Sequence, residues 1–492
     1  SALLADARDR ARDAQRPVLV SVVEQVPAVD AIDALAAIGR AATHVPALAG
    51  LLAAGRALWT RPADDCALVG LGAAATFTPD GPDRFATVDR AWNALLADAI
   101  VADPSEGAPG AGPVLVGGFS FEPNGPRTAA WRGFPSAQLT LPRLQLAASA
   151  GTTWLTTNVI VGADGRADVS SRAIAQLRDV VLAACIDGGA MEGGITAASG
   201  DTSLAVADVV PGAEWRALVG EAVEAIGARA FEKVVLARSV HAAAPCDVDV
   251  LAVLRQLRTA HPDCYVFAYW RDDRAFVGAS PERLVRVDGR VVRASSLAGS
   301  ARRGSNPSDD ARSAAGLMAS VKDRAEHALV LQALRAGLAA LCDDVVAADE
   351  PELLALRHVF HLHTPVRARL RPGRSLLDVV ARLHPTPAVG GTPREPALAF
   401  LRARERLDRG WYAAPVGWVG RDGGEFAVAL RSAVVAGREA WLFAGCGIVA
   451  GSDPDAEYAE SRLKLRSMTQ ALTAALAGAR EATRRRATPA RP

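Results

Sequence analysis

Lysine is rare in this chain, so each lysine is a candidate for chemistry. Of the 55 basic residues among 492, only Lys233, Lys322 and Lys464 are lysines, and the others are arginines. A guanidinium stays protonated, whereas a partly dehydrated lysine ammonium can lose its proton and act as a base. Chance retention on the surface is the alternative for any one of the three.

A candidate base and a candidate acid lie 49 positions apart, at 233 and 282. Lys233 begins an apolar run, FEKVVLARSV, that predicts a strand over 231–240 and a partly desolvated ammonium. Glu282 follows Pro281 in GASPERL, at a predicted strand-to-turn junction where a carboxyl can point into a cleft. The alternative for Glu282 is an ordinary turn glutamate paired with Arg283.

Two predicted helices carry carboxylates at helical spacing. The helix predicted over 309–341 places Asp323, Glu326 and His327 on one face, and the helix predicted over 454–476 does the same with Glu457, Glu460 and Lys464. Read separately, both are solvated salt-bridge faces. Together they offer the oxygen ligands that Mg²⁺ prefers. We expect Lys322 only to pair with Glu326.

The residues that precede the last helix suit an anion. In AGCGIVAGSDP, Gly445 and Gly447 let backbone N–H groups approach a negative group closely. Arg431 lies in AVALRSAV, within a strand predicted over 425–435, and would be costly to bury without a carboxylate partner.

Histidine and cysteine do not predict a zinc site. His361 and His363 share one strand face near His358, but no third ligand follows at suitable spacing, so HLHTP is interpreted as the lining of a polar pocket. The six cysteines form no CxxC pair, which favours reduced thiols.

Composition excludes several classes of protein. Acidic residues number 54 against the 55 basic ones, which argues against nucleic acid, and no apolar run is long enough to span a membrane. No secretion signal is apparent, so we expect a cytoplasmic protein. The basic residues around Arg485 are interpreted as a solvated end.

Many short strands and few long helices before residue 200 predict an α+β sandwich of large sheets flanked by helices. A Gly-, Ala- and Ser-rich break at 187–201 separates an N-terminal region, 1–200, from a second region, 205–480, that carries all three lysines.

Ordered motifs in the second region identify a family. The chain resembles chorismate-utilising enzymes, and among them isochorismate synthases, in FEKVVLAR, GASPERL, SSLAGSARRG, KDRAEH, HLHTPV, LHPTPAVGGTP, GWYAAPVGW, LRSA and AGCGIVAGSDPDAEYAESRLKL. The resemblance covers about residues 213–476 and is looser before them. It implies a single structural unit, made of both sequence regions, in which antiparallel sheets lie between helices around a Mg²⁺-dependent site.

The resemblance also assigns roles. Lys233 would take a proton from the water that attacks C2 of chorismate, and Glu282 would protonate the C4 hydroxyl as it leaves. Glu326 and Glu460 would hold Mg²⁺, with Glu457 and Asp323 as direct or water-mediated ligands. Substrate would be bound by a further set of residues, namely Arg431, Gly445, Gly447, Lys464, Ser300, His361 and Thr364.

Three alternatives to an isochorismate synthase are weighed against the residues. Anthranilate-type synthases use ammonia and a glutaminase subunit and generally lack the lysine at the position of Lys233, so we expect no such subunit and a monomer. Salicylate synthases keep that lysine and also eliminate pyruvate, but tend to have LAGTR where this chain has LAGSARR. A catalytically inactive chorismate-binding protein is a third interpretation. Menaquinone biosynthesis is the favoured pathway, with siderophore or salicylate synthesis as the alternative.

Overall fold

The structure is a computed structural model that describes residues 2–187, 203–355 and 359–487. His358 and all but the first residue of the break expected at 187–201 lie outside these ranges. Within them there are twelve α-helices, none long and apolar enough to cross a membrane. Their bounds are α1 Ala2–Ala14, α2 Ala31–Ala42, α3 Pro46–Ala53, α4 Arg84–Ala97, α5 Ser171–Asp187, α6 Gly212–Gly227, α7 Val250–Ala260, α8 Pro307–Ala319, α9 Val321–Ala339, α10 Leu376–Leu383, α11 Arg394–Arg404 and α12 Pro454–Ala487.

The strands are mostly short. In the described ranges they are β1 Val18–Val26, β2 Arg56–Arg61, β3 Cys66–Leu71, β4 Ala75–Phe77, β5 Ile100–Ala102, β6 Leu115–Phe119, β7 Ala137–Leu141, β8 Leu144–Ser149, β9 Thr152–Val161, β10 Ala205–Asp208, β11 Lys233–Ala243, β12 Tyr265–Arg271, β13 Arg274–Ser280, β14 Arg283–Asp288, β15 Val291–Arg302, β16 Cys342–Ala347, β17 Glu352–Ala355, β18 Val359–Leu370, β19 Gly391–Thr392, β20 Pro415–Val419, β21 Gly423–Val428, β22 Ser432–Ala436 and β23 Glu439–Ile448.

These strands form two sheets. The larger has the order β10-β11-β23-β22-β13-β12-β2-β3-β8-β9-β1-β5, with β19 also paired to β11; the smaller has the order β16-β18-β15-β14-β21-β20-β6-β7-β4, with β17 also paired to β18. Pairing is antiparallel except between β1 and β5. The predicted α+β class with large antiparallel sheets is therefore confirmed.

Strands from both sequence regions share the larger sheet. Strand β2, from the first region, pairs with β12, from the second, in the register Leu58↔Ala268. One apolar cluster takes side chains from both sheets, among them Phe276 of β13 and Phe426 of β21. A second cluster lies between the larger sheet and helices that include α2, α7 and α12.

Two predicted elements are broken in the structure, and both breaks have a local cause. The helix predicted over 309–341 is two helices, because Ser320 leaves the helical conformation and its side chain caps α9 by accepting from the Asp323 N–H. The strand predicted over 425–435 is also two, because Arg431 takes a left-handed φ of 46°. Arg431 therefore lies between β21 and β22 and not within a strand.

Candidate active site

Lys233 and Glu326 form a buried ion pair at the centre of the second region. Lys233 begins β11, its side chain is 1% exposed, and its Nζ donates to Oε1 of Glu326 on α9 at 2.6 Å. Burial opposes ionisation of Glu326, but the charge and hydrogen bond of Lys233 outweigh it and lower the Glu326 pKa. The predicted base is therefore hydrogen-bonded directly to a predicted metal ligand.

Gly447 leaves the space that this pair needs. A Cβ added there would lie 2.9 Å from Cε of Lys233 and 3.0 Å from Oε1 of Glu326. Gly445, also on β23, lies close to the Tyr412 hydroxyl, and its carbonyl accepts from Nζ of Lys464 at 3.0 Å. Both predicted glycines therefore border charged groups through their backbone.

Glu282 lies where the chain passes from the larger sheet to the smaller. It sits between β13 and β14 and is 7% exposed. Its N–H donates to the Ser280 hydroxyl and its carbonyl accepts from the Val428 N–H at 3.0 Å, which fixes the backbone. Burial raises the pKa of its carboxyl to about 7, although Lys233 and Lys464 act in the opposite direction. Glu282 can therefore carry a proton near neutral pH.

A cavity of about 130 Å³ brings most predicted site residues together. Those that border it are Glu282, Ser300, Glu326, His361, Arg431, Gly445, Gly447 and Lys464. A larger cavity of about 900 Å³ shares Ser300, His361, Arg431 and Lys464 with it and adds Glu460. The shared residues connect the smaller, inner cavity to the larger and more open one.

Arg431 borders both cavities with its charge unneutralised. In the part of the chain that the structure describes, no Asp or Glu oxygen lies within 4.0 Å of its guanidinium. The carboxylate partner that its burial was expected to require is therefore not supplied by these residues, and the position between strands leaves Arg431 only half-buried. A guanidinium in this setting suits an anionic ligand.

Ser300 and His361 form a polar pair across β15 and β18. The Ser300 Oγ lies 2.8 Å from the His361 Nδ1. Burial, with Arg431 and Lys464 nearby, lowers the pKa of His361 to about 3, so its imidazole is neutral. Thr364, three residues on, is buried and its Oγ1 lies 2.8 Å from Nε2 of His327. Thr364 borders neither of the two cavities.

The other predicted metal ligands are only partly gathered. In the described residues, Glu457 and Glu460 have donor atoms within 4.8 Å of each other and of Cys446. Glu460 pairs with Lys464 at 2.8 Å, and Glu457 accepts from the Ser452 hydroxyl at 2.8 Å. Asp323 instead accepts from the hydroxyl of the α9 cap, Ser320.

This donor set fits Mg²⁺ better than a softer metal. Burial raises the pKa of both the Cys446 thiol and the Glu457 carboxyl. The thiol donates to the Glu457 carbonyl at 3.3 Å, and the carboxylate oxygens of Glu457 and Glu460 are hard ligands of the kind that Mg²⁺ prefers. His363 has its Nδ1 2.8 Å from Oε1 of Glu352.

Sequence reasoning missed two residues of the inner cavity. Tyr412 and Arg409 both border it. Tyr412 lies within GWYAAPVGW, a motif that was recognised without assigning a role to any of its members. Arg409 immediately precedes this motif, and its only signal is an i,i+4 spacing from Glu405.

Comparisons with known proteins agree on one family. The chain matches the family model described as chorismate binding enzyme over residues 5–473. It is 37% identical to the salicylate biosynthesis isochorismate synthase of Pseudomonas aeruginosa, covering 94% of this chain and 92% of that protein. It is 36% identical to isochorismate synthase MenF of Bacillus subtilis, covering 85% and 88%.

Solved structures show the same fold. The menaquinone-specific isochorismate synthase MenF of Escherichia coli superposes with a TM-score of 0.72 at 25% identity, over 95% of this chain and all of that one. Anthranilate synthase component I of Streptococcus pneumoniae gives a TM-score of 0.58 at 21% identity, over 72% and 80%, a likeness of fold alone.

Proposed function

This chain belongs to the family of chorismate binding enzymes, and on that premise we propose that it is an isochorismate synthase, an isomerase that converts chorismate to isochorismate. One observation carries the proposal. The cavity between the sheets is bordered by a buried carboxyl able to hold a proton near neutral pH, Glu282, and by Glu326, whose carboxylate bonds a buried amine, Lys233, that does not itself border the cavity. Adding water at one carbon and expelling hydroxide from another needs both a base and an acid.

Lys233 acts as the base. In its neutral form the amine accepts a proton from the water that attacks C2 of chorismate, and the ion pair with the Glu326 carboxylate 2.6 Å away is the state that follows this transfer. Glu282 acts as the acid, donating its proton to the departing C4 hydroxyl while the double bond shifts. One water is consumed and one is released. Each proton transfer contributes about 10²–10⁴-fold in rate.

Positive charge at the cavity binds the substrate. Arg431 offers an unneutralised guanidinium and Lys464 an ammonium at the boundary between the two cavities. We assign to them the two carboxylates of chorismate, with Ser300, neutral His361 and the backbone at Gly445 and Gly447 completing the contacts. Thr364 was expected from sequence to contact the substrate. Its hydroxyl instead bonds His327, and we assign it the role of holding α9 in place.

We propose that Mg²⁺ binds through Glu326, Glu457 and Glu460. The support is the hard oxygen character of these side chains and the closeness of Glu457 to Glu460. When bound, the ion neutralises a substrate carboxylate and fixes its orientation. Asp323, held at the start of α9, would act only through water.

Further properties complete the proposal. Because water and not ammonia is the nucleophile, no glutaminase subunit is required, and we propose a monomer. The six cysteines are unpaired, as befits a reducing cytoplasm. The pairing of β2 with β12 supports one structural unit made of both sequence regions.

We propose menaquinone biosynthesis as the destination, supported by the full-length likeness to MenF. Deleting the gene in its native cell should deplete menaquinone. Loss of salicylate or of a dihydroxybenzoate siderophore instead would contradict this assignment.

Product analysis tests the function directly. Purified protein is incubated with chorismate and Mg²⁺, and the products are separated by chromatography. Isochorismate alone is expected; salicylate with pyruvate would indicate a salicylate synthase, an amine formed with ammonia would indicate an aminating enzyme, and no product would indicate a binding protein. Lys233→Ala should abolish turnover while retaining Mg²⁺-dependent chorismate binding. Loss of binding as well would contradict its role as the base.

A further inference from the structure

Strand β11, which begins at Lys233, has a gap along one edge. Its other edge pairs with β23 from Val234 to Ala243. At the gapped edge, β19 covers only Lys233 and Val234, and β10 covers Val240 to Ala243. In the described ranges, positions 235–239 therefore face no strand on that side. These positions are buried, and unpaired backbone groups there would be costly.

Three groups in this gap bond other parts of the chain, since the Val235 N–H donates to the Gly390 carbonyl, the Val209 N–H to the Ser239 carbonyl and the Trp215 indole to the Ala237 carbonyl. A buried ion pair bonds two more. Glu405 Oε2 accepts from the Ala237 N–H at 2.8 Å, and Arg409 Nη2 donates to the Val235 carbonyl at 2.6 Å. The two side chains also bond each other, Nε to Oε1 at 2.6 Å and Nη2 to Oε2 at 2.7 Å. Both are about as buried as core residues, at 5% and 4% exposure. Together they supply one acceptor and one donor, as a neighbouring strand would.

The same guanidinium reaches a second wall of the inner cavity. Arg409 Nη1 donates to the carbonyl of Val389 at 2.8 Å, and the guanidinium lies 4.3 Å from the ring centre of Phe121. Val235 and Val389 both border the 130 Å³ cavity. Arg409 therefore ties the strand of Lys233 to the loop on another side of the site.

We propose that Glu405 and Arg409 are positioning residues for Lys233, acting as a substitute strand that fixes β11 two and four residues after it. The inference rests on the proposed role of Lys233 as the base. An ion pair suits this task because one partner is only an acceptor and the other only a donor. A planar fork can also serve two carbonyls and a carboxylate at once, which a lysine ammonium does in poorer geometry.

Arg409→Lys tests the proposal because it keeps the positive charge beside Glu405 and removes the planar guanidinium that bonds several acceptors at once. The folded variant should lose on the order of 10²-fold in kcat, since small displacements of a catalytic group have effects of that size. Its KM for chorismate should stay within about threefold, since Arg431 and Lys464 are untouched. Hydrogen exchange at the Ala237 amide should be faster than in the wild type.

The control is Arg402→Lys, in the last turn of α11 just before Glu405. Arg402 pairs with Glu122 at the surface, with 49% of its side chain exposed, and its variant should match the wild type in every measurement. If Arg409→Lys does not fold, the double variant Glu405→Gln, Arg409→Met is measured in its place, because it removes both buried charges. The same changes in kcat, KM and hydrogen exchange are expected of it.

Three results overturn the inference: wild-type kcat in the folded variant, a loss of kcat matched by an equal rise in KM, or unchanged exchange at Ala237. Wild-type protein that forms no isochorismate would instead refute the proposed function. In that case faster exchange at Ala237 would still support the substitute strand, and unchanged exchange would refute it.

Discussion

Lys233 Nζ and Glu326 Oε1 lie 2.6 Å apart, although the sequence assigns one to water activation and the other to a metal. The two assignments are therefore coupled through a single contact. Glu326 is the counter-ion of the base, and Lys233 is a reason why the Glu326 pKa is lowered. A change at Glu326 should therefore alter both metal binding and chemistry.

Glu326→Gln should weaken Mg²⁺ and chorismate together. The amide removes a charged ligand and leaves the ammonium of Lys233 beside a neutral partner. We expect the Mg²⁺ concentration for half-maximal activity to rise by roughly 10-fold or more. Glu350→Gln, at an exposed ion pair with Arg324, is the control and should behave as wild type. Unchanged Mg²⁺ dependence in Glu326→Gln would exclude it as a ligand.

Activity should fall as pH rises through about 7, because the acid form of Glu282 is then lost. The measurement is a kcat profile over pH for the conversion of chorismate. Glu282→Gln should have no measurable turnover and should still bind chorismate. A profile without a descending limb in this range would argue against Glu282 as the acid.

Glu282 also links pH to stability. Its carboxyl binds a proton more tightly in the folded state, with a pKa of about 7, than in the unfolded chain, where its ordinary pKa is 4.5. The stability it contributes is thus present at low pH and is lost as pH rises from about 4.5 to 7. Glu282→Gln should therefore be more stable than wild type at about pH 8.5, by up to roughly 3 kcal/mol, and much less so at about pH 5. Denaturation at the two pH values tests this, and an equal effect at both would contradict it.

Gly447→Ala should damage activity more than stability. The new Cβ would push Lys233 and Glu326 apart, and we expect kcat to fall by about 10²-fold. Gly220→Ala on α6 is a matched control, because nothing lies within 4 Å of its added Cβ. It should leave kcat unchanged and stabilise the helix by up to about 1 kcal/mol. Wild-type kcat in Gly447→Ala would show that the pair tolerates displacement.

Ser300→Ala and Thr364→Val should distinguish a residue that contacts the substrate from one that stabilises the fold. Ser300→Ala removes a cavity hydroxyl bonded to His361 and should raise KM several-fold. Thr364→Val leaves Nε2 of buried His327 without its partner and should lower the free energy of unfolding by about 1–3 kcal/mol. Kinetics and denaturation are compared for both. A raised KM with normal stability in Thr364→Val would restore it as a substrate contact.

Local signals predicted much of this site. Residue types alone singled out Lys233 and Glu282, and the glycines beside Lys464 were found from spacing. The break before α9 also had a signal, since Ser320 stands three residues before Asp323 in the manner of a capping box, yet the apolar pattern across it hid the break. Arg431 had no such signal, because its turn contains neither Gly nor Pro.

Contacts between distant segments could not be predicted in this way. Lys233 meets Glu326 across 93 positions, and Glu405 meets Ala237 across 168. Periodicity reports which face of an element is apolar, but not which other element covers it. For the same reason the predicted Mg²⁺ set included Asp323, whose helical face is right but whose carboxyl accepts from the Ser320 hydroxyl at the start of the same helix.

The seam between β2 and β12 bears on how the polypeptide can be divided. A fragment lacking the first 200 residues would keep every motif of the resemblance. It would leave the backbone of 265–271, in an apolar strand, as an unpaired sheet edge. Such edges recruit other chains and drive aggregation. The motif-poor portion thus shields the motif-rich one, and heterologous production should begin from the longer gene.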